Sequence, residues 1–215
     1  MTGKRVGILG SGDVGKQLGR GFAKHGYDVM LGSREPSKGD SWRKETKGTI
    51  SAGTFADAAR HGEVVILATY GGAVEAAIDL AGPKNFKGKL VLDATNRLDF
   101  SHRMPPGLMV GTTNSLGERV QRRLPDARVV KCFNTVGNTK MVHPKFREGT
   151  PVMFICGNDA TAKEETRAIL RELGWPKGFD VGGIDGARWL EALVPLWVRV
   201  GAALNAWDHA FTVVQ

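Results

Sequence analysis

Six apolar stretches of strand length recur along the chain: RVGILG, YDVMLG, EVVILA, KLVLDA, ARVVKCF and PVMFICG. They are rich in Val, Ile and Leu, and several show no in-and-out alternation. That pattern suits strands covered on both faces, as in a parallel sheet flanked by helices. Between them lie segments of helical period with recognisable start and stop signals. Asp13 is placed to cap the first helix and Gly26 to end it. Ser115 and Glu118 have capping-box spacing, with Pro125 at the end of that helix. Asp159 precedes a helical run that stops at Gly174. Strand, helix, strand, repeated, predicts an α/β fold: a doubly wound, mostly parallel sheet of Rossmann type with a C-terminal helical segment.

The tail departs from this alternation. From Asp185 to about Phe211 the chain reads as one long helix. Trp189, Leu193, Leu196, Trp197, Val200, Leu204 and Trp207 recur at three- and four-residue intervals, on one face. Pro195 falls inside and is expected to kink or locally open the helix. So much apolar surface is expected to pack on the sheet domain or on a partner subunit, as in a homodimer.

The first strand runs into GSGDVG, comprising Gly10, Ser11, Gly12, Asp13, Val14 and Gly15. Gly-x-Gly-x-x-Gly alone is a weak signal; between a strand and a helix it marks a dinucleotide-binding turn. Gly10 permits the tight turn, Gly12 the approach of backbone to a pyrophosphate, and Gly15 close helix–strand packing. The helix N-terminus then offers free N–H groups to that anion. The end of the second strand is where an acidic residue would select NAD. This chain has Ser33 and Arg34 there, with Lys38 one turn on. A guanidinium forms charge-assisted bonds to a 2′-phosphate that would repel a carboxylate, so the expected cofactor is NADP. The expected division is a dinucleotide-binding domain over residues 1–182 and a C-terminal helix over 183–215, with no repeat or low-complexity linker between.

The chain of 215 residues carries a formal charge of +8, with its basic residues scattered. A positive field of this kind draws in anionic small molecules, and no basic stripe points to nucleic acid. Cys132 and Cys156 sit in apolar runs and read as small buried hydrophobes. The five histidines are dispersed, no metal site is expected, and His143, before Pro144, reads as a turn residue. The N-terminus enters a strand pattern directly, and WLEALVPLWV, interrupted by Glu191, is too short to span a bilayer. A cytoplasmic chain without membrane attachment is expected.

Several segments together resemble a known family. VGILGSGDVGKQLGRGFAKHGYDVMLGSREP is similar to the start of the coenzyme F420-dependent NADP oxidoreductases and of the related reductase domain of STEAP ferric reductases. KCFNTVG, FICGND and ARWLEALVPLWVRVG resemble later segments of the same family. The resemblance implies that Ser33, Arg34 and Lys38 contact the 2′-phosphate and that Ala68, Thr69 and Tyr70 follow the strand under the ribose. It further implies that Asn134, Thr135, Gly137 and Asn138 belong to the loop that holds the nicotinamide and faces the second substrate. This chain departs from the family there, with Asn134 where the F420 enzymes have His and Gly137 where they have Pro. The segment ATNRLDFSHRMPPG after the fourth apolar stretch differs as well.

No nucleophile elbow, no Ser-Tyr-x-x-x-Lys arrangement and no other catalytic acid is legible, so no catalytic residue is assigned. A carbonyl or alcohol substrate usually needs a proton-transfer group. Hydride exchange between nicotinamide and a flavin-like ring needs mainly stacking and orientation. The expected activity is hydride transfer between NADP(H) and a flavin or deazaflavin carrier such as F420. The alternatives are a reductase of a small carbonyl or imine substrate and a non-catalytic NADP-sensing module.

Overall fold

The computed structural model describes residues 3–99, 101, 106–108, 111 and 113–215, and only the backbone of residues 38, 40 and 108. All six apolar stretches form strands. In chain order the elements are β1 (Arg5–Leu9), α1 (Asp13–Lys24), β2 (Asp28–Gly32), α2 (Asp40–Glu45), β3 (Ile50–Gly53), α3 (Phe55–His61), β4 (Val64–Leu67), α4 (Val74–Ala81) and β5 (Leu90–Asp93). A two-residue antiparallel pair follows, β6 (Leu98–Asp99) with β7 (Gly107–Leu108). Then come α5 (Leu116–Arg123), β8 (Arg128–Lys131), β9 (Val152–Gly157), α6 (Ala160–Glu172), β10 (Lys177–Asp180) and α7 (Ala187–Leu204). Part of ATNRLDFSHRMPPG, residues 100 and 102–105, lies outside the described residues.

The main sheet has the order β10-β9-β8-β5-β4-β1-β2-β3. It is parallel from β3 through β8, and β9 runs antiparallel to β8 with β10 parallel to β9. This is the doubly wound, mostly parallel α/β sheet that the pattern predicts. The two strands that the pattern does not reveal, β3 and β10, form its edges. Their residues are only partly buried, so they need no apolar run. Phe22, Trp42 and Leu170 fill the core on one face of the sheet, and Ile78, Phe86 and Val120 on the other.

Several local expectations are corrected. Gly12, not Asp13, occupies the cap of α1 and makes no side-chain cap bond; Asp13 is the first helical residue. The tail is not helical to Phe211. The helix stops at Leu204, where Asn205 adopts the left-handed conformation (φ 48°) and the next N–H, of Ala206, returns to Gly201 O. The chain then doubles back so that Trp207 packs 5.9 Å from Trp197, centroid to centroid. Pro195 sits inside an unbroken helix, its face held by buried Leu190, Val194 and Val198. That buried face is not the predicted stripe: Trp189, Leu196 and Leu204 point to solvent.

The register of the parallel strands also builds an ionic cluster. Asp93 pairs with Lys131 across β5 and β8, and both side chains are fully buried. Lys131 Nζ lies 3.0 Å from Asp93 Oδ2 and 2.9 Å from Glu191 Oε1 of α7, and donates to Thr95 O at 2.6 Å. Glu191 also accepts the N–H groups of Leu116 and Gly117 at the start of α5, each at 2.9 Å. Burial alone pulls the lysine pKa down, but the two carboxylates outweigh it and hold the amine above its ordinary 10.5. A native pKa raised in this way contributes stability in full below pH 10.5, lost as pH rises through the native value. Lys131→Met strands two buried carboxylates and should cost about 3–5 kcal/mol, measured by urea unfolding at neutral pH.

Candidate functional site

Leu9, Gly32 and Leu67 are register partners at the C-terminal ends of β1, β2 and β4. The residue after each, Gly10, Ser33 and Ala68, therefore emerges at one edge of the sheet. The alignment continues past the strands: Gly10 N–H donates to Gly32 O (2.9 Å) and Ala68 N–H to Leu9 O (2.8 Å). Here the strand order reverses, with β2 on one side of β1 and β4 on the other, and such a switch point opens a crevice in a doubly wound sheet.

A cleft of about 330 Å³ occupies that point. Gly10, Ser11, Gly12, Ser33, Arg34, Ala68, Thr69 and Tyr70 all line it, so eight of the residues singled out in the sequence meet there. Glu35 beside Arg34, Phe55, and Ala73, Ala76, Ala77 and Leu80 of the α4 region complete its walls. Asp13, Val14 and Gly15 continue from the cleft into α1. Lys38 lies in the short turn of helix Pro36–Gly39, with its side chain outside the described atoms.

The glycines of the loop divide the work. Gly10 has φ 131°, and a Cβ there would lie 2.4 Å from Ala68 O. A Cβ on Gly15 would lie 2.0 Å from Gly10 O, so helix and loop touch at that position. A Cβ on Gly12 would meet nothing within 4 Å. Its side faces open space at the head of α1, whose first turn has no side-chain cap. Those first N–H groups are the ones a pyrophosphate needs. Thr69 Oγ1, in the cleft wall, is buried without a hydrogen-bond partner. Ser33 is buried, its oxygen accepting the Glu35 N–H at 3.2 Å, while the Arg34 side chain is exposed at the rim. The residues present fit a dinucleotide with an additional phosphate on the ribose.

The segment after β8 lies apart from this cleft. Phe133, fully buried, turns the chain with φ 66°, and Asn134 and Thr135 behind it are buried. Asn134 Nδ2 donates to Asn96 Oδ1 and to Leu190 O of α7, both at 3.0 Å, and Asn96 Nδ2 returns to Asn134 O at 2.9 Å. Asn96 packs closely on Gly71, the residue after Tyr70: a Cβ on Gly71 would lie 2.1 Å from the Asn96 carbonyl oxygen. Gly137 faces the tail rather than the cleft, since a Cβ there would lie 2.8 Å from Trp207 O and 3.4 Å from the Trp197 ring. Asn138 opens the next helical turn and accepts the Thr139 N–H at 2.9 Å.

Comparison with known proteins follows the same outline. The model of the family described as NADP oxidoreductase, coenzyme F420-dependent, matches residues 5–97. A crystal structure from Arthrobacter sp. FB24, of a candidate F420-dependent NADP reductase, is 38% identical; it covers 99% of this chain and 100% of its own, with a TM-score of 0.95. The chain belongs to the F420-dependent NADP oxidoreductase family. F420-dependent NADP reductase of Methanothermobacter marburgensis is 26% identical over 91% of this chain and 92% of its own length. Metalloreductase STEAP3 of Rattus norvegicus is 28% identical over 90% of this chain, which spans only 38% of that protein. The family is one of NADP-dependent oxidoreductases, and among the described residues no helix is long and apolar enough to cross a membrane.

Two substitutions in the loop should separate binding from folding. Gly12→Ala should leave the thermal midpoint unchanged and weaken NADPH binding about tenfold in a fluorescence titration. Gly15→Ala should lower the midpoint itself. Arg34→Asp should shift the preference for NADPH over NADH by roughly a hundredfold, read from the two dissociation constants.

Proposed function

We propose that this chain transfers hydride between NADP(H) and a flavin or deazaflavin carrier such as F420. The observation that carries this reading is the state of the titratable groups beside the Asn134 segment. Lys131, Asp93 and Glu191 are fully buried and spent on one another, and Asn96 and Asn134 are locked as a reciprocal amide pair. Among the described residues the ionic groups beside Asn134 are closed to a substrate, and the exposed Tyr70 hydroxyl in the cleft is turned to Leu98 O at 3.3 Å. Transfer between two rings asks for nothing more than their alignment, with reacting carbons held about 3–3.5 Å apart.

The cofactor supplies the hydride. Gly12 and the first turn of α1 would hold its pyrophosphate, Ser33, Arg34 and Lys38 its 2′-phosphate, and Ala68 to Tyr70 its ribose side. The nicotinamide and the carrier would lie beyond the cleft toward the Asn134 to Asn138 segment, with Asn138 on their side and Gly137 turned to the tail. The domain limits 1–182 and 183–215 and the cytoplasmic setting belong to the same proposal. So does a homodimer: Trp189, Leu196 and Leu204 on α7 form an exposed apolar face that a second copy would cover.

The test is NADPH oxidation by the purified chain, with F420, FMN and riboflavin offered in parallel with small ketones and imines. Turnover with a flavin or deazaflavin alone is expected. Turnover confined to a ketone or imine would replace the reading with the small-molecule reductase. Tight NADPH binding without any turnover would leave the sensing module.

A further inference from the structure

Two histidines 118 residues apart in sequence meet nitrogen to nitrogen on the far side of α1 from the cleft. His25, the C-cap residue of α1, places its Nε2 3.0 Å from Nε2 of His143. The ring centroids are 5.1 Å apart, so the two nitrogens point at each other and leave no room for a cation between them. In such a contact one ring donates and the other accepts. At most one of the two can be an imidazolium, because the acceptor nitrogen must be bare.

His143 is built into this position. Its backbone is left-handed (φ 48°), its N–H donates to Leu173 O at 2.7 Å, and Gly174 leaves its ring room: a Cβ there would lie 2.7 Å from His143 Nδ1. The residues before it follow directly from the Asn134 to Asn138 segment and dock on α1. Val142 fills the space beside Gly21, where a Cβ would lie 2.5 Å from its methyl carbon. Met141 O accepts the indole N–H of buried Trp175 at 2.8 Å.

We propose that His25 and His143 form a proton-sensitive latch that docks residues 138–143 on the end of α1 and opens when both rings are protonated. The charges around it favour opening. Lys24 of α1 and Lys145 of the loop face the pair. On α6, Glu172 accepts the Tyr27 hydroxyl at 2.6 Å. The turn after α6 meets His143 through Leu173 O and Gly174.

Burial first, and then His25, Lys24 and Lys145, hold the His143 pKa below its ordinary 6.5. The unfolded chain therefore takes up this proton more readily than the native one. The latch's contribution is complete above pH 6.5 and declines as the pH falls from there. This inference does not depend on the identity of the hydride carrier.

The test follows the Trp175 indole N–H signal and the thermal midpoint of the full chain between pH 8 and pH 5.5. The signal is assigned with Trp175→Phe. His143→Gln and His25→Gln keep a hydrogen-bonding amide that does not titrate. Acidification should move the indole signal in the native chain, and should lower its midpoint further than in either variant. Identical pH dependence in all three proteins would overturn the latch. If a variant does not fold, ring nitrogen spectra of the native chain decide. Coupled titration with one bare Nε2 at pH 8 supports the latch, and two independent ordinary histidines overturn it.

Discussion

A lysine with no access to water stands where β5, β8 and α7 meet. Its charge is tolerable only because two carboxylates and a backbone carbonyl surround it, and each arrives from a different element. Desolvating a carboxylate or an amine costs several kcal/mol per ion, so the group holds only while all its members are in place. Glu191 also takes up the N–H groups of Leu116 and Gly117 at the positive end of α5. Through Glu191 the group fastens the last helix to the strand ends. Through Thr95 it fixes the backbone that carries Asn96. The closing helix and the backbone after β5 are thereby tied to a single electrostatic constraint.

The cleft rests on a different constraint, the register of parallel strands. Once β1, β2 and β4 are aligned, Gly10, Ser33 and Ala68 emerge together with no further design. What remains is left to residues with little or no side chain. Gly10 and Gly15 are close-contact positions inside the protein, whereas Gly12 is a gap kept open toward solvent. Three glycines in one short motif thus answer to two different requirements.

The parts legible in the sequence are those with a local signature. Fully buried parallel strands read as unbroken Val, Ile and Leu, and GSGDVG carries its geometry in its spacing. The edge strands β3 and β10 lacked such a mark because half of each faces solvent. The end of α7 was misjudged because Trp207 continues the helical period by chance, while Asn205 provides a left-handed stop. The ionic cluster was hidden for another reason: its members are 38 and about 60 residues apart, and only the tertiary register brings them together. A trace was nevertheless present, since Asp93, Lys131 and Glu191 each interrupt an otherwise apolar run. The pairing of His25 with His143 left no trace at all, because it depends on how a loop folds back over a helix end.

Gly137 illustrates how such long-range dependence constrains change in a lineage. The room left by its missing side chain is filled by the carbonyl of Trp207 and the ring of Trp197, both belonging to the returning tail. Any larger residue at this site would have to be matched by a different course of the chain some seventy residues later. Among relatives, the identity of this one loop position and the path of the C-terminus should therefore vary as a single inherited character.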